Sequence, residues 1–132
     1  MKYTEKYGGA VIISSEGKKL VIEYLYTVEN YFTFNIKVKS GEFTGASNFC
    51  ISKESIVSVV ETLSKMHEQL SGYCEISDSD SDAHITVEMD KLGHMYMTGQ
   101  IGGSHEEHYM KFKYITDQTV LINLIQILKA FL

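Results

Sequence analysis

Residues 31–40 read YFTFNIKVKS, and their pattern decides the fold class. Apolar side chains at Phe32, Phe34, Ile36 and Val38 alternate with polar ones along the stretch. Successive residues of a strand point to opposite faces, so a period of two collects the apolar side chains on one side. The stretch therefore predicts a half-buried β-strand with one wet face.

The same alternation recurs on both sides of this stretch, in runs that are separated by short turn signals rich in Gly, Asn, Asp and Ser. Short gaps between such runs imply hairpins, so the sheet should be mainly antiparallel, with about eight strands. The alternating apolar positions are Leu20 to Val28, Ile85 to Met89, Met95 to Ile101 and Met110 to Tyr114.

Two segments change to helical spacing. From Ser52 to Ser71, apolar residues recur every three or four positions, with Ser52 as the expected N-cap and Gly72 as the expected C-terminal stop. From Asp117 to Leu132, apolar residues cover most of the circumference, so this second helix must be covered widely or form part of a dimer contact.

These patterns predict one α+β domain over residues 1–132. Its architecture would be an antiparallel twisted β-sheet of about eight strands with two α-helices packed on one face. Each half of the chain ends in a helix, which suggests a loose structural repeat, although the two halves share no residue pattern.

The chain is acidic, with 17 acidic and 12 basic residues and a formal net charge of −5. Proteins that bind nucleic acid rely on Lys and Arg to neutralise phosphates, so the charge argues against such a partner and favours a cationic one. The N-terminus lacks a secretory apolar region, and the apolar C-terminal run is too short and interrupted to span a bilayer. We expect a cytoplasmic protein without a membrane segment.

The most distinctive motif is ISDSDSDAH, residues 76–84. A calcium loop of the EF-hand type needs Gly at its sixth and Glu at its twelfth position, which are Ala83 and Met89 when counted from Asp78. Strand patterns on both sides instead indicate a hairpin turn, where Asp and Ser bond nearby backbone. The turn would present three carboxylates beside Glu75 and Glu88.

No pattern of a catalytic site is present. Phosphate-binding glycine fingerprints, a nucleophile elbow and paired metal-ligand motifs are all missing from the sequence. His105, Glu107 and His108 form the nearest approach to a metal site, but strand spacing does not place the two histidines on one face. We therefore predict a protein that is not an enzyme and needs no cofactor or metal.

Several segments in a fixed order carry a family resemblance. GEFTGASNFCIS (41–52) leads into KESIVSVVETLSKM (53–66) and GYCEI (72–76), and GHMYMTGQI (93–101) precedes YMKFKYITDQTVLINLIQIL (109–128). This order resembles the WapI-like immunity proteins of bacterial contact-dependent toxin systems. The resemblance implies a cytoplasmic protein that binds and neutralises a cognate toxin domain, commonly a nuclease. It supplies no catalytic or toxin-binding residues.

We predict that carboxylates at hairpin ends and on wet faces contact the toxin domain. The candidates are Asp78, Asp80, Asp82, Glu88, Glu106 and Glu107. One alternative is a generic protein- or ligand-binding module that forms a homodimer through the apolar C-terminal helix, with monomer and weak homodimer both open. Another is a small metal-dependent enzyme that uses His105, Glu107 and His108.

Overall fold

The computed structural model describes residues 10–103 and 108–132, which form two successive units of four strands and a helix. The elements of the first unit are β1 (Ala10–Ser15), β2 (Lys18–Val28), β3 (Tyr31–Ser40), β4 (Phe43–Ser52) and α1 (Lys53–Gln69). The elements of the second are β5 (Gly72–Ser77), β6 (His84–Met89), β7 (His94–Ile101), β8 (Met110–Asp117) and α2 (Gln118–Ala130).

Within each unit, consecutive strands pair antiparallel, and the α+β class, the eight strands and the two helices are confirmed for the described residues. The strands do not form one sheet, however. They form two four-stranded sheets, in the orders β1-β2-β3-β4 and β5-β6-β7-β8.

The division into two sheets has a local cause. Ser52 ends β4 and is also the N-cap of α1, whose Ser55 N–H it accepts at 3.1 Å, so the chain leaves the first sheet at once. When the chain returns as β5, it pairs with β6 and not with β4. The two helices pack on each other, and each contacts strands of both sheets.

One buried apolar cluster draws side chains from all ten elements and joins the two sheets. Tyr114 of β8 is fully buried in this cluster. Its hydroxyl donates to the backbone carbonyl of Lys19 at 3.1 Å and also contacts that of Lys39, which ties β8 to β2 and β3. The predicted inward positions of β7, Met95, Met97, Gly99 and Ile101, are all buried.

The C-terminal helix α2 begins at its predicted N-cap, since Asp117 Oδ1 accepts the Thr119 N–H at 2.9 Å. Leu121, Leu124, Ile125 and Leu128 are buried in the core. Among its large apolar side chains, Ile122 is the one that is clearly exposed, at 38%. The wide cover that the sequence demanded is thus supplied largely from within the chain.

Candidate functional site

The Asp-Ser motif forms the turn between β5 and β6, as the sequence predicted. The hairpin pairing ends at Ser77 and His84, and the Asp78 N–H donates to the carbonyl of Ala83 at 3.0 Å. Residues 78–83 therefore stand at one end of the second sheet, and we call them the acidic tip.

Asp78 faces inward at the base of the acidic tip and is 8% exposed. Its Oδ1 accepts the Cys50 N–H at 2.8 Å and the Asp80 N–H at 3.3 Å, while its Oδ2 accepts the Ser81 hydroxyl at 2.6 Å. A buried carboxylate is stable only when its oxygens have such donors. The side chain therefore organises the turn and is poorly placed to meet a partner.

Ser79 fastens the acidic tip to the first sheet. Its N–H and its hydroxyl both donate to the carbonyl of Cys50, at 2.9 Å and 2.7 Å. Both backbone groups of Cys50 are thus bonded to the tip, which covers this part of the β4 edge. The turn is held from two sides, so the side chains that it exposes are presented in a fixed geometry.

Asp80 and Asp82 are the two exposed carboxylates of the acidic tip. The charge of Asp80 reaches the first sheet: burial raises the pKa of the Cys50 thiol, and the negative charge of Asp80 raises it further. His84 closes the turn, with Nδ1 2.9 Å from the Asp82 carbonyl oxygen. An ordered pair of carboxylates at a sheet end can attract and orient a cationic group.

Glu88 lies on the exposed face of β6, four residues beyond His84, which is about 13 Å along a strand. It shares that face with Glu75 of β5. The hydroxyls of Ser77 and Tyr73 donate to Glu75 at 2.6 Å and 3.2 Å, and the Ser77 bond is the main cause that lowers the pKa of this carboxyl. Glu88 and the acidic tip are therefore separate parts of one negatively charged half of the molecule.

Charge is divided unevenly between the two sheets. In the described residues 72–117 there are seven carboxylates and three lysines, whereas residues 10–52 hold four of each. The first sheet carries Lys19, Lys37 and Lys39 around a shallow depression of about 410 Å³ on its outer face. The excess of negative charge thus belongs to the second sheet.

Two of the predicted contact residues belong to the segment between β7 and β8. Glu106 and Glu107 lie outside the described residues, as does His105, while His108 is exposed just before β8. Within residues 10–103 and 108–132, no three His, Cys, Asp or Glu side chains lie close enough to hold a metal ion.

Sequence reasoning missed the long-range partner of Asp78. The Ser and Asp alternation does signal a turn that bonds its own backbone. Nothing in it shows that a residue 28 positions earlier, Cys50, supplies the donor.

The fold and this site define a small α+β protein of two meander-and-helix units, with an ordered acidic hairpin at the end of its second sheet. The model of the immunity protein WapI-like family matches residues 12–132, so the chain belongs to that family. No curated protein matches the chain, and no solved structure does. Neither of the two helices that the structure describes is long and apolar enough to cross a membrane.

Proposed function

We propose that this protein is a cytoplasmic immunity protein that binds a cognate bacterial toxin domain, such as a nuclease, and neutralises it by stoichiometric association. Membership of the WapI-like immunity family over residues 12–132 is the observation that carries the proposal. Stoichiometric binding needs a surface and no catalytic group, so an enzymatic role is not part of the proposal. We also propose that residues 1–132 act as one domain, because the buried cluster includes both sheets and both helices.

Asp80 and Asp82 are our first choice for contact with the toxin. Both are exposed on a turn that is already fixed by Asp78 and Ser79, so little conformational entropy is lost when a partner binds. The cationic channel with which a nuclease holds its substrate is complementary to such a pair. In this proposal Asp78 supports the turn, while Glu88, Glu106 and Glu107 extend the contact.

The proposal is tested by co-expression with the toxic product of the adjacent upstream gene, followed by co-purification and titration of the pair. We expect a one-to-one complex and loss of toxicity. If the wild-type protein neither binds nor protects, the immunity function is wrong.

The acidic tip is tested separately with the double variant Asp80→Asn/Asp82→Asn. Removing two charges near a cationic partner should slow association and weaken binding by about 10- to 100-fold, with a shallower dependence on salt. A matched control, Glu61→Gln/Glu68→Gln, removes two exposed charges from α1 and should leave affinity within about twofold. Equal losses in both double variants would show that net charge matters and the tip does not.

The alternative of a dimer through the C-terminal helix gains no support from the fold. The apolar side of α2 is buried against the core, and Ile122 alone offers a small exposed patch.

A further inference from the structure

The outer face of the second sheet carries large side chains that the described part of the chain leaves open. One row crosses all four strands through the paired residues Tyr73, Glu88, Tyr96 and Ile115. The two residues at the edges are exposed apolar side chains, since Tyr73 is 56% exposed and Ile115 is 55% exposed. Large side chains thus extend across the whole width of this face, with an exposed apolar residue at each edge.

The next row places opposite charges at opposite edges of this face. It begins with Glu75 on β5 and ends with Lys113 on β8, with threonines between them. Three strand spacings separate the two charges by about 14 Å, so they do not meet within one chain. Lys113 Nζ lies 5.8 Å from the ring centre of Tyr96 and forms no ion pair with any carboxylate of residues 10–103 and 108–132.

This arrangement is complementary to itself. A two-fold axis that runs parallel to the strands, between β6 and β7, lays β5 of one copy over β8 of the other. This rotation does not change the position of a residue along the strand direction, so each row of one copy faces the same row of the second copy. Tyr73 then covers the partner's Ile115, and Glu75 meets the partner's Lys113, each contact occurring twice as in any isologous interface.

We infer that this outer face binds a second copy of the same chain, which forms a symmetric dimer by face-to-face packing of the two second sheets. Twisted sheets pack with their strands about 30° apart. At the outer strands, about 7 Å from the axis, this angle shifts facing residues of the two copies by about 4 Å relative to each other along the strand direction. Extended Glu and Lys side chains reach over such a distance, so the charge contacts survive the twist.

The small size of the face favours a weak, transient dimer. Four strands of six to eight residues give a face about 19 Å wide and 20 Å long, so two copies bury on the order of 1,000 Å². That area lies at the lower end of specific interfaces. We therefore expect a dissociation constant on the order of 10 μM, with monomer and dimer in exchange.

The dimer would leave the acidic tips accessible. An axis parallel to the strands keeps both β5–β6 turns at the same end of the assembly, beyond the edge of the packed faces. Glu88 is covered in the dimer, whereas Asp80 and Asp82 are not. The dimer is therefore compatible with a toxin contact through Asp80 and Asp82 but competes with one through Glu88.

Sedimentation equilibrium of the full chain from about 1 to 500 μM tests the dimer, in about 0.15 M salt so that the net charge of each copy is screened. The wild-type protein should change from monomer to dimer across this range. Glu75→Lys and Lys113→Glu should each weaken association at least tenfold, because each places like charges together twice. Glu61→Lys on the exposed side of α1 is the control and should dimerise like the wild type.

The decisive experiment measures association in a mixture of the two charge variants. In a mixed dimer both contacts again join opposite charges, so Glu75→Lys with Lys113→Glu should associate as tightly as the wild type, within about threefold. The double variant Glu75→Lys/Lys113→Glu should likewise dimerise with itself. The inference is overturned if the wild-type protein is still a monomer at 500 μM, or if both single variants dimerise as tightly as the wild type. It is also overturned if the single variants lose affinity and mixing them does not restore it.

Discussion

The carboxylate of Asp78 accepts the backbone N–H of Cys50 at 2.8 Å and so joins the β5–β6 turn to β4 of the other sheet. The bond spans 28 residues of sequence and connects the two units of the fold. The same carboxylate organises its own turn through Asp80 and Ser81. One buried charge therefore links the presentation of the acidic tip to the stability of the whole chain.

Replacing Asp78 with Ala should lower the free energy of unfolding by about 2–4 kcal/mol. The change removes a charged acceptor and leaves the N–H groups of Cys50 and Asp80 without their partner. Urea denaturation followed by circular dichroism measures the loss. Asp80→Ala is the matched control, because it removes the same charge from an exposed position and should cost under about 0.5 kcal/mol. Equal effects of the two changes would contradict the role of Asp78.

Gly99 in β7 has no room for a methyl group. A Cβ atom there would collide with the backbone carbonyl of His84 and lie 2.9 Å from two atoms of the Phe112 ring. Because backbone and a packed ring cannot easily move away, Gly99→Ala should destabilise the fold by about 2–4 kcal/mol.

Gly45→Ala is the comparison for Gly99. Its Cβ would meet the Met110 sulfur at 3.3 Å, and a methionine side chain adjusts readily. We expect a cost below about 1 kcal/mol, measured in the same urea titration. If the two alanine variants are equally stable, close packing at Gly99 does not restrict the sheet.

The features that the sequence predicts well are local. Alternation along residues 31–40 defines β3, and the caps at Ser52 and Asp117 are correct because each bonds an N–H two or three residues away. A period of two shows that a strand exists, but it does not show which strand lies beside it. The break between β4 and β5, which makes two sheets, therefore could not be read from the pattern.

The site shows the same limit. The turn at residues 78–83 follows from its Ser and Asp content, and exposure of Asp80 and Asp82 agrees with their positions in it. The burial of Asp78 depends on β4, which is distant in sequence, so the motif alone presents all three carboxylates as equivalent. Only the packing of the two sheets shows that Asp78 has a structural role, whereas Asp80 and Asp82 are exposed.

The end of α1 provides a third prediction. The sequence favoured Gly72 as the stop, but the left-handed residue is Leu70, with φ of 55° and ψ of 38°, and it is 45% exposed. Glycine adopts this conformation without the steric cost that a leucine bears. Leu70→Gly should therefore raise the free energy of unfolding by about 0.5–1 kcal/mol in thermal or urea denaturation. Leu70→Ala keeps a Cβ and should give no gain; stabilisation by both would show that relief of strain is not the cause.

The last prediction concerns pH and Cys74. This side chain is 5% exposed, and burial, with a smaller contribution from the charge of Glu75, raises the pKa of its thiol to about 11 from an ordinary value of 9.0. Between these values the unfolded chain loses a proton that the folded chain retains, so stability falls as pH rises from 9 to 11. By pH 10.5 the loss amounts to about 2 kcal/mol.

Cys74→Ala removes this titration. Urea curves at pH 8 and pH 10.5 should show that the variant loses about 2 kcal/mol less than the wild type between the two pH values, whatever its stability at pH 8. Burial also raises the pKa of Tyr114, but that group is present in both proteins and cancels in the comparison. Cys50→Ala is the companion variant, and because its thiol is only partly buried its removal should change the pH dependence less. Parallel pH profiles for the wild type and Cys74→Ala would mean that the Cys74 thiol titrates alike in the folded and unfolded chains.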